Sequence, residues 1–337
     1  MHFLITGHTG FKGAWLSLIL HQRGHRVSGI SLPPEVGSLF EGADIGKHLE
    51  NDIHCDIRDL TKLTTYFKKI NPDVVIHLAA QALVRESYRN PFDTFETNVL
   101  GTLNVLQASK QINHLKAQLI ITTDKVYKNV NKLSGYVETE ALGGQDPYSA
   151  SKAMADIATQ SWLSSFENAP TAIARAGNVL GGGDVCADRL MPDLIHSYSS
   201  GITPKLRAPN SVRPWQHVLD CLNGYLTLVD VVIENKADGA WNFGPDENQS
   251  KTVADVANIA AKVWGVEKSW ENDSGTHPHE ASMLTLNSNK ARTNLGWSDK
   301  LSFEETIEWT TNWYKNVNSG KDPLEETLKN IRDFESR

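Results

Sequence analysis

The chain begins with a short apolar strand that runs directly into a glycine-rich turn. Residues 2–6 read as a strand, and Gly7, Gly10 and Gly13 follow it before an amphipathic stretch starts at Ala14. Glycines between a strand and a helix let the backbone approach a pyrophosphate, whose negative charge is favoured at the helix N-terminus. The turn therefore predicts a dinucleotide-binding unit at the start of the chain.

Strands and helices alternate through the first half of the sequence. We predict strands at 2–6, 26–31, 73–78 and 119–123, and helices at 14–23, 60–70, 92–113 and 147–166. Two further strands are predicted at 172–176 and 239–243, then helices at 253–264, 289–295 and 303–316. Strands that alternate with helices indicate βαβ units and a parallel sheet. The predicted fold class is α/β: a Rossmann-type, doubly wound, mainly parallel sheet with a smaller, mostly helical C-terminal substrate-binding lobe.

The 337 residues are sufficient for two domains. We assign residues 1–180 and about 213–247 to the dinucleotide-binding domain, and about 181–212 and 248–337 to the substrate-binding lobe. Ligands of open α/β sheets bind outside the carboxyl ends of the strands. We therefore expect a cleft there, closed by the lobe.

Composition excludes several classes of function. The net charge of −7 offers no basic patch for nucleic acid, and no apolar run of 18 residues could span a membrane. The first strand leaves no room for a signal peptide, so we expect a cytoplasmic protein. Cys55, Cys186 and Cys221 are scattered and lack CxxC spacing, which indicates reduced thiols and argues against a metal site.

The end of the second predicted strand leaves the choice of dinucleotide open. A carboxylate at this position would hold a ribose 2′-hydroxyl, but the chain has Ser31 followed by Leu32. Ser31 can bind a ribose without excluding a 2′-phosphate, and Lys12 could attract one. NAD and NADP both remain candidates. Asp56 and Ile57 could meet the adenine, although a solvated loop carboxylate is an alternative reading of Asp56.

A tyrosine and a lysine stand four residues apart in the predicted helix 147–166. Tyr148 and Lys152 therefore share one helical face. A tyrosine base needs a pKa well below its ordinary value near 10, and we expect the Lys152 charge and an oxidised nicotinamide to lower it. Thr123, Asp124 and Lys125 close an apolar strand, where such a sheet presents its chemistry. Together with the glycine turn, these residues predict hydride chemistry at a carbinol carbon.

Nine segments resemble one enzyme superfamily over essentially the full length of the chain. They are GHTGFKG (7–13), AAQALVR (79–85), TNVLGT (97–102), TDKVY (123–127), DPYSASK (146–152), RAGNVLGGGD (175–184), DRLMPD (188–193), RPWQHV (213–218) and HPHEA (277–281). This pattern resembles the extended short-chain dehydrogenase/reductases that modify nucleotide sugars. The last four segments discriminate most, and they are similar to the CDP-sugar branch of the 4,6-dehydratases.

The resemblance implies a set of site residues. Those expected to bind the cofactor are Gly7, Thr9, Gly10, Phe11, Lys12, Gly13, Ser31, Asp56, Ile57, Leu78, Ala79, Ala80, Gln81, Asn98, Tyr148 and Lys152. Those expected to bind the substrate are Gln81, Arg85, Tyr88, Asn178, Arg189, Leu190, Arg213 and His279. Arg189 and Arg213 suit a diphosphate because the guanidinium fork matches phosphate geometry; a surface salt bridge is the alternative for each.

The resemblance also implies a reaction, the dehydration of CDP-glucose with NAD as the cofactor. Tyr148 would take the O4 proton while hydride leaves C4, with Thr123 orienting that hydroxyl. Lys125 would remove the C5 proton and Asp124 would protonate the departing C6 hydroxyl. The related dTDP-glucose dehydratases have Asp-Glu after the threonine, where this chain has Asp124 and Lys125. Lysine can act as a base only with a lowered pKa.

Other readings stay open at this point. A nucleotide-sugar 4-epimerase would share the turn, Tyr148 and Lys152, and a 4,6-dehydratase could take another NDP-hexose. A cofactor-sensing regulator would commonly have lost the tyrosine or the lysine. Family members usually pair through two long helices, here 92–113 and 147–166, so we expect a homodimer, with a tetramer as the alternative.

Overall fold

The computed structural model describes residues 1–132, 134–167, 169–246, 251–275 and 283–337. The strands are β1 (His2–Thr6), β2 (Arg26–Ser31), β3 (Asn51–His54), β4 (Val74–His77), β5 (Ala117–Ile121), β6 (Thr171–Ala176), β7 (Asn178–Leu180), β8 (Lys205–Leu206), β9 (Val212–Arg213), β10 (Trp215–His217), β11 (Gly239–Phe243), β12 (Lys251–Thr252) and β13 (Glu271–Asn272).

The α-helices are α1 (Phe11–Gln22), α2 (Leu39–Gly42), α3 (Leu60–Ile70), α4 (Val84–Arg89), α5 (Pro91–Phe95), α6 (Gly101–Ser109), α7 (Pro147–Ser165), α8 (Leu190–Ser199), α9 (Val218–Ile233), α10 (Val253–Trp264), α11 (Asn289–Leu295), α12 (Phe303–Asn318) and α13 (Pro323–Glu335). A π-helical turn, Glu96–Leu100, joins α5 to α6. Among the described residues, no helix combines the length and the apolar character needed to cross a membrane.

A parallel sheet of seven strands forms the centre of the molecule. Its order is β11-β6-β5-β4-β1-β2-β3, so the chain starts in the middle and the order reverses between β1 and β4. Register pairs Thr6 with Ile30 on one side and with His77 on the other. The reversal leaves a crevice at the carboxyl ends of β1 and β4, where ligands of such sheets bind. The predicted Rossmann-type fold is confirmed.

Helices cover both faces of the sheet because its strands are apolar on both faces. Phe3 and Ile5 point into the larger core, which α1 and α9 complete, whereas Leu4 between them points into a second core under α3 and α6. Successive strand residues face opposite sides, so one short strand supplies both layers. The C-terminal helices form a further layer in which α10 packs on α8 and α12.

Several sequence-based elements need correction. The helix predicted at 92–113 is α5, the π-helical turn and α6, and it ends at Ser109. The helices α8, α9 and α13 were not predicted, and α8 and α9 lie between the strands predicted at 172–176 and 239–243. The nearly continuous apolar composition of Val218–Ile233 was the signal for α9, which is buried almost all round.

Candidate functional site

A cleft of about 1030 Å³ opens at the carboxyl ends of the strands. The glycine turn after β1 and the loops after β2, β4, β5 and β6 form its walls, and α8 with the segment around β8 closes the far side. This is where the sheet topology predicts a ligand. Of the residues predicted to bind the cofactor, all but Asn98 line the cleft.

At the glycine turn, backbone segments approach one another so closely that a side chain at Gly7 or Gly13 would not fit. A Cβ on Gly13 would lie 2.2 Å from the Gly7 carbonyl oxygen, and one on Gly7, whose φ is +80°, would lie 2.6 Å from the Ala79 nitrogen. Gly10 is the N-cap of α1 and provides no side-chain hydrogen bond to the first turn of that helix. The helix therefore presents backbone N–H groups and its positive end to the cleft, which suits a pyrophosphate.

Two predicted cofactor contacts have protein partners in the structure. Ser31 Oγ is 2.8 Å from Thr9 Oγ1, which also donates to the Leu32 carbonyl. Lys12 Nζ donates to the Tyr225 hydroxyl at 3.2 Å, and its charge acts on Lys152. The ammonium of Lys12 therefore lies near enough to α7 to act on Lys152, and its attraction for a phosphate in the cleft stays a prediction.

The Asp56 carboxylate is held by the neighbouring loop. Arg58 donates to it from Nε and Nη2, and Arg58 also binds Asp93. The guanidinium of Arg58 holds the pKa of Asp56 below its usual value. Asp56 and Ile57 nevertheless line the cleft, so both can meet a ligand there.

Asn98 acts from behind the cleft wall. Its amide oxygen accepts from the Gln81 backbone N–H at 2.9 Å, and its amide nitrogen donates to the Gln81 carbonyl and to Ser151 Oγ. The π-helical turn places this side chain against the loop after β4. Asn98 therefore shapes the wall formed by Leu78, Ala79, Ala80 and Gln81, which itself lines the cleft.

Thr123, Asp124 and Lys125 lie together at the end of β5. Thr123 and Lys125 line the cleft, whereas Asp124 is 0% exposed and lies behind them. Asp124 Oδ1 accepts from Thr123 Oγ1 at 2.9 Å and lies 3.5 Å from Lys125 Nζ. Its Oδ2 is buried without a hydrogen-bond partner among the described residues. The carboxyl can thus exchange protons with the cleft through its two neighbours.

Tyr148 and Lys152 sit in the first two turns of α7. Asp146 caps this helix by accepting from the Ser149 N–H at 2.9 Å, and Pro147 occupies its first turn. Burial raises the pKa of Tyr148 to about 12, although a hydrogen bond with Thr123 opposes this. Loss of solvent outweighs nearby charge in the protein alone, and the lowering expected from Lys152 together with an oxidised nicotinamide stays a prediction.

Lys152 is buried on the cleft floor. Burial lowers the pKa of Lys152 to about 8, and the neighbouring Lys12 charge adds to this. Its Nζ donates to the Ile121 carbonyl at 2.8 Å, at the end of β5. The ammonium therefore stands between α7 and the strand that carries Thr123, where it can stabilise a developing phenolate.

The residues predicted to bind substrate line the same cleft, apart from one that the structure does not describe. Gln81, Arg85, Tyr88, Asn178, Arg189, Leu190 and Arg213 all line the cleft, while His279 lies outside the described residues. Arg189 Nη1 binds Asp184 at 3.0 Å, and its charge reaches Tyr148. The Asn178 amide oxygen is buried and accepts no hydrogen bond from a described residue. A salt bridge was the alternative interpretation of Arg189, and the structure shows one with Asp184, but both residues line the cleft.

Sequence reasoning missed two arrangements around this cleft. Asp188 accepts from Arg85 at 2.9 Å and from Arg207 at 3.3 Å, so one carboxylate joins two arginines at the cleft wall. Beneath the floor, Arg175 binds Asp156 through Nε and Nη2, each at 2.8 Å. Three members of these arrangements lie in recognised segments: Arg85 in AAQALVR, Asp188 in DRLMPD and Arg175 in RAGNVLGGGD. The partners in each contact lie far apart in the sequence, so the contacts themselves could not be predicted.

The cleft suits a dinucleotide beside a second ligand. The close-packed glycine turn and the open N-terminus of α1 form a phosphate cradle, and Tyr148 with Lys152 stands at the other end of the same wall. Arg189, Arg213 and Asn178 supply donors across the cleft. Among the described residues, no cluster of His, Cys, Asp and Glu side chains could hold a metal ion.

Comparison with known proteins agrees with this geometry. CDP-glucose 4,6-dehydratase of Salmonella typhimurium is 41% identical, covering 98% of this chain and 95% of that protein. The structure of dTDP-glucose 4,6-dehydratase from Streptomyces venezuelae with NAD and TYD bound has a TM-score of 0.84 at 23% identity, covering 96% of this chain and 100% of that one.

UDP-glucose 4-epimerase of Thermus thermophilus in complex with NAD shares the fold as well. Its TM-score is 0.82 at 23% identity, covering 94% of this chain and 100% of that one. The family profile described as GDP-mannose 4,6 dehydratase matches residues 4–310. The chain belongs to the GDP-mannose 4,6 dehydratase family, within the extended short-chain dehydrogenase/reductases.

Proposed function

We propose that this protein catalyses the NAD-dependent 4,6-dehydration of CDP-glucose to CDP-4-dehydro-6-deoxyglucose and water. The observation that carries the proposal is the meeting of Thr123, Lys125 and Tyr148 on one cleft floor beside the glycine turn, with Asp124 directly behind. The 41% identity to a CDP-glucose 4,6-dehydratase supports the same substrate.

Each catalytic side chain has a distinct proton to move. Tyr148 takes the proton of the sugar O4 hydroxyl, and Thr123 orients that hydroxyl. Bound NAD would supply the hydride acceptor for C4 and the hydride donor for C6. The C4 ketone acidifies the C5 proton, which Lys125 removes while Asp124, through its neighbours at the cleft, gives a proton to the departing C6 hydroxyl. Water leaves, C5 regains a proton, and the cofactor ends in its starting form.

Burial explains why Lys152 belongs to this set. A phenolate at Tyr148 is costly in a buried site, as its raised pKa shows. The Lys152 ammonium on the same helical face offsets part of that cost, since an opposite charge within a few ångströms favours the ionised form. Although the pKa of Lys152 is lowered to about 8, the side chain is still mostly cationic near neutral pH.

The remaining residues are proposed to hold the ligands. Residues 1–180 with about 213–247 would form the NAD-binding domain, and about 181–212 with 248–337 the nucleotide-sugar lobe. Arg189 and Arg213 would clamp the diphosphate, and Asn178, which also lines the cleft, would bind the substrate as an amide donor. The choice of NAD over NADP is supported by NAD in structures that share the fold.

The epimerase alternative explains less of the site. Epimerisation at C4 requires no acid and base at C5 and C6, whereas Asp124 and Lys125 stand next to Thr123 at the cleft. The structural likeness to a 4-epimerase is a likeness of fold at 23% identity. The geometry favours dehydration.

One experiment tests the proposal directly. The purified protein is incubated with NAD and, separately, with CDP-, dTDP-, GDP- and UDP-glucose, and the 4-keto product is read by its absorbance in alkali. We expect product from CDP-glucose with a clear preference over the other three. A C4-epimerised hexose in place of a 4-keto-6-deoxy sugar would favour the epimerase reading, and a different preferred nucleotide would refute the substrate.

We also propose a homodimer, with a tetramer as the alternative. Phe92 is 83% exposed, and Leu100, Met154 and Ile157 are also exposed on α5, the π-helical turn and α7, which pack against one another. This contiguous apolar surface suits a second copy of the chain. Light scattering should give twice the chain mass or a multiple of it, and Ile157→Lys should shift it toward the monomer. A cytoplasmic location stays a prediction, in keeping with three free cysteines.

A further inference from the structure

The cleft continues past the catalytic side chains along one face of α8. Asp193 and Ser197, four residues apart, line it from the helix, while Met191, Leu194 and Tyr198 turn into the core. The segment around β8 faces them with Pro204, Leu206 and Arg207. Arg189 at the N-cap of α8 lies near enough for its charge to act on Tyr148, so α8 leads away from the reacting sugar.

A nucleotide sugar must place its base in this stretch. In the proposed function its hexose would reach Tyr148 and its diphosphate would lie at Arg189 and Asn178, so the nucleoside would follow the wall toward Asp193; all four residues line the cleft. Pro204 and Leu206 offer apolar surface for the faces of a planar ring. Asp193 and Arg207 are charged side chains of opposite sign on this wall.

The surroundings of Asp193 leave it a hydrogen-bond acceptor open to the cleft. Its carboxylate accepts from the Asp188 backbone N–H, and the Arg207 charge acts on it. Loss of solvent in the cleft raises the pKa of Asp193, the neighbouring Asp188 charge adds to this, and Arg207 opposes it. Asp193 is an exposed residue that lines the cleft, so its carboxylate is accessible to a further N–H donor.

Cytosine differs from uracil and thymine at the edge that such a pair would meet. It offers an exocyclic amino donor, N4–H₂, which aspartate accepts, where the other two pyrimidines have the O4 acceptor. Arginine donates to acceptors, which cytosine carries at N3 and O2. A carboxylate facing O4 would bring two acceptors together and leave the carboxylate unpaired, which disfavours the wrong base.

We propose that Asp193 selects the cytidine nucleotide by accepting from the exocyclic amino group of cytosine, with Arg207 as the donor beside it. This inference rests on the proposed function, because it assumes that the substrate is a CDP-sugar. It adds a residue that discriminates between bases without taking part in the chemistry at C4, C5 or C6.

The test measures binding of CDP, UDP, dTDP and GDP alone by calorimetry, so that it needs no turnover. We expect the protein to prefer CDP, and Asp193→Asn to reduce the CDP:UDP affinity ratio by roughly tenfold to a hundredfold, the range for one base-reading contact. Asp193→Ala should reduce the ratio in the same direction. Ser199→Ala, on the same helix but outside the cleft lining, should leave it unchanged.

Steady-state rates separate base reading from a structural role. Asp193→Asn should raise KM for CDP-glucose by a similar factor and leave kcat within a few-fold. Equal losses for all four nucleotides, or an unchanged CDP:UDP ratio, would overturn the assignment of Asp193. If the ratio depends on Asp193 but no 4-keto product forms from CDP-glucose, the dehydratase proposal fails and the base-reading proposal stands.

Discussion

At the scale of single residues, burial decides the electrostatics of the site. The pKa of Tyr148 is raised to about 12 and that of Lys152 is lowered to about 8, so burial favours the neutral form of each group in the protein alone. A helix spacing cannot predict this, because the spacing brings the two groups together without reporting how much water surrounds them. As the proposed base, Tyr148 therefore needs positive charge beside it, from Lys152 and from an oxidised nicotinamide.

Removing the Tyr148 hydroxyl tests this view. We expect Tyr148→Phe to keep the fold and NAD affinity while kcat falls at least about 100-fold, the lower end of a general-base contribution. The measurement is turnover of CDP-glucose, with NAD affinity followed by fluorescence quenching as the control for an intact site. Turnover close to that of the unmodified protein would show that another group takes the O4 proton.

A substitution at Lys125 should separate oxidation at C4 from dehydration across C5 and C6. Lys125→Met keeps Tyr148, Lys152 and the cofactor turn, so C4 oxidation should proceed while the C5 proton stays in place. We expect the 4-keto sugar that still carries its C6 hydroxyl to accumulate in a single turnover, detected by mass spectrometry. Exchange of the C5 proton with heavy water should disappear. Near-normal dehydration would mean that Lys125 only positions the substrate.

At the scale of elements, one buried ion pair joins β6 to α7 and to the end of β5, and the proposed catalytic residues lie on the latter two. Asp156 on α7 accepts from Arg175 on β6 and from Thr122 Oγ1, at 3.1 Å, at the end of β5. Arg175 also donates to the Tyr127 hydroxyl at 2.9 Å. Both charged side chains are almost fully buried, so each needs the opposite charge of the other to stabilise its ionised form.

Removing one partner of this pair should lower the free energy of unfolding more than replacing both partners by apolar residues. Arg175→Met leaves the Asp156 carboxylate buried and unpaired, and we expect it to lower the free energy of unfolding by about 3–5 kcal/mol. The double variant Asp156→Leu/Arg175→Met should regain a large part of that loss, since neither charge remains. Urea unfolding measures both. A single variant as stable as the unmodified protein would show that the pair adds nothing to stability.

At the scale of the whole molecule, a buried carboxylate joins the sheet layer to the C-terminal helices. Asp220 on α9 accepts from the Lys300 N–H at 2.7 Å and from the Leu301 N–H at 3.3 Å, just before α12. Gln216 donates to Asp299 at 2.8 Å beside it. Burial raises the pKa of Asp220 to about 7, while these backbone donors oppose the shift.

This shift predicts a pH dependence of stability with a definite sign. An unfolded aspartate releases its proton near pH 4, whereas the folded protein retains it up to about pH 7. Between these values the folded state binds more protons, so Asp220 makes unfolding easier as pH rises, by up to about 4 kcal/mol in total. The difference in unfolding free energy between the unmodified protein and Asp220→Asn should fall from pH 4 to 7. A flat difference would contradict this.

Much of the fold and part of the site followed from the sequence, because their signals are local. Part of the steric demand on the glycine turn lies within seven residues, where Gly13 approaches Gly7, and Tyr148 and Lys152 share a face through helix geometry alone. Alternating strands and helices predicted the parallel sheet for the same reason. The helices α8 and α9 were missed, since their surroundings in the sequence resemble a long connection.

The tertiary structure alone decided which side chains are in contact and how far each is excluded from solvent. It placed Asn98 behind the Gln81 loop, directed Lys12 toward Tyr225, and buried Asp124 behind Thr123 and Lys125. Such contacts join residues far apart in the chain, and the pKa values depend on the solvent that those contacts exclude. Sequence spacing determines which groups a helix or turn can present, whereas packing between elements determines their partners and their charge.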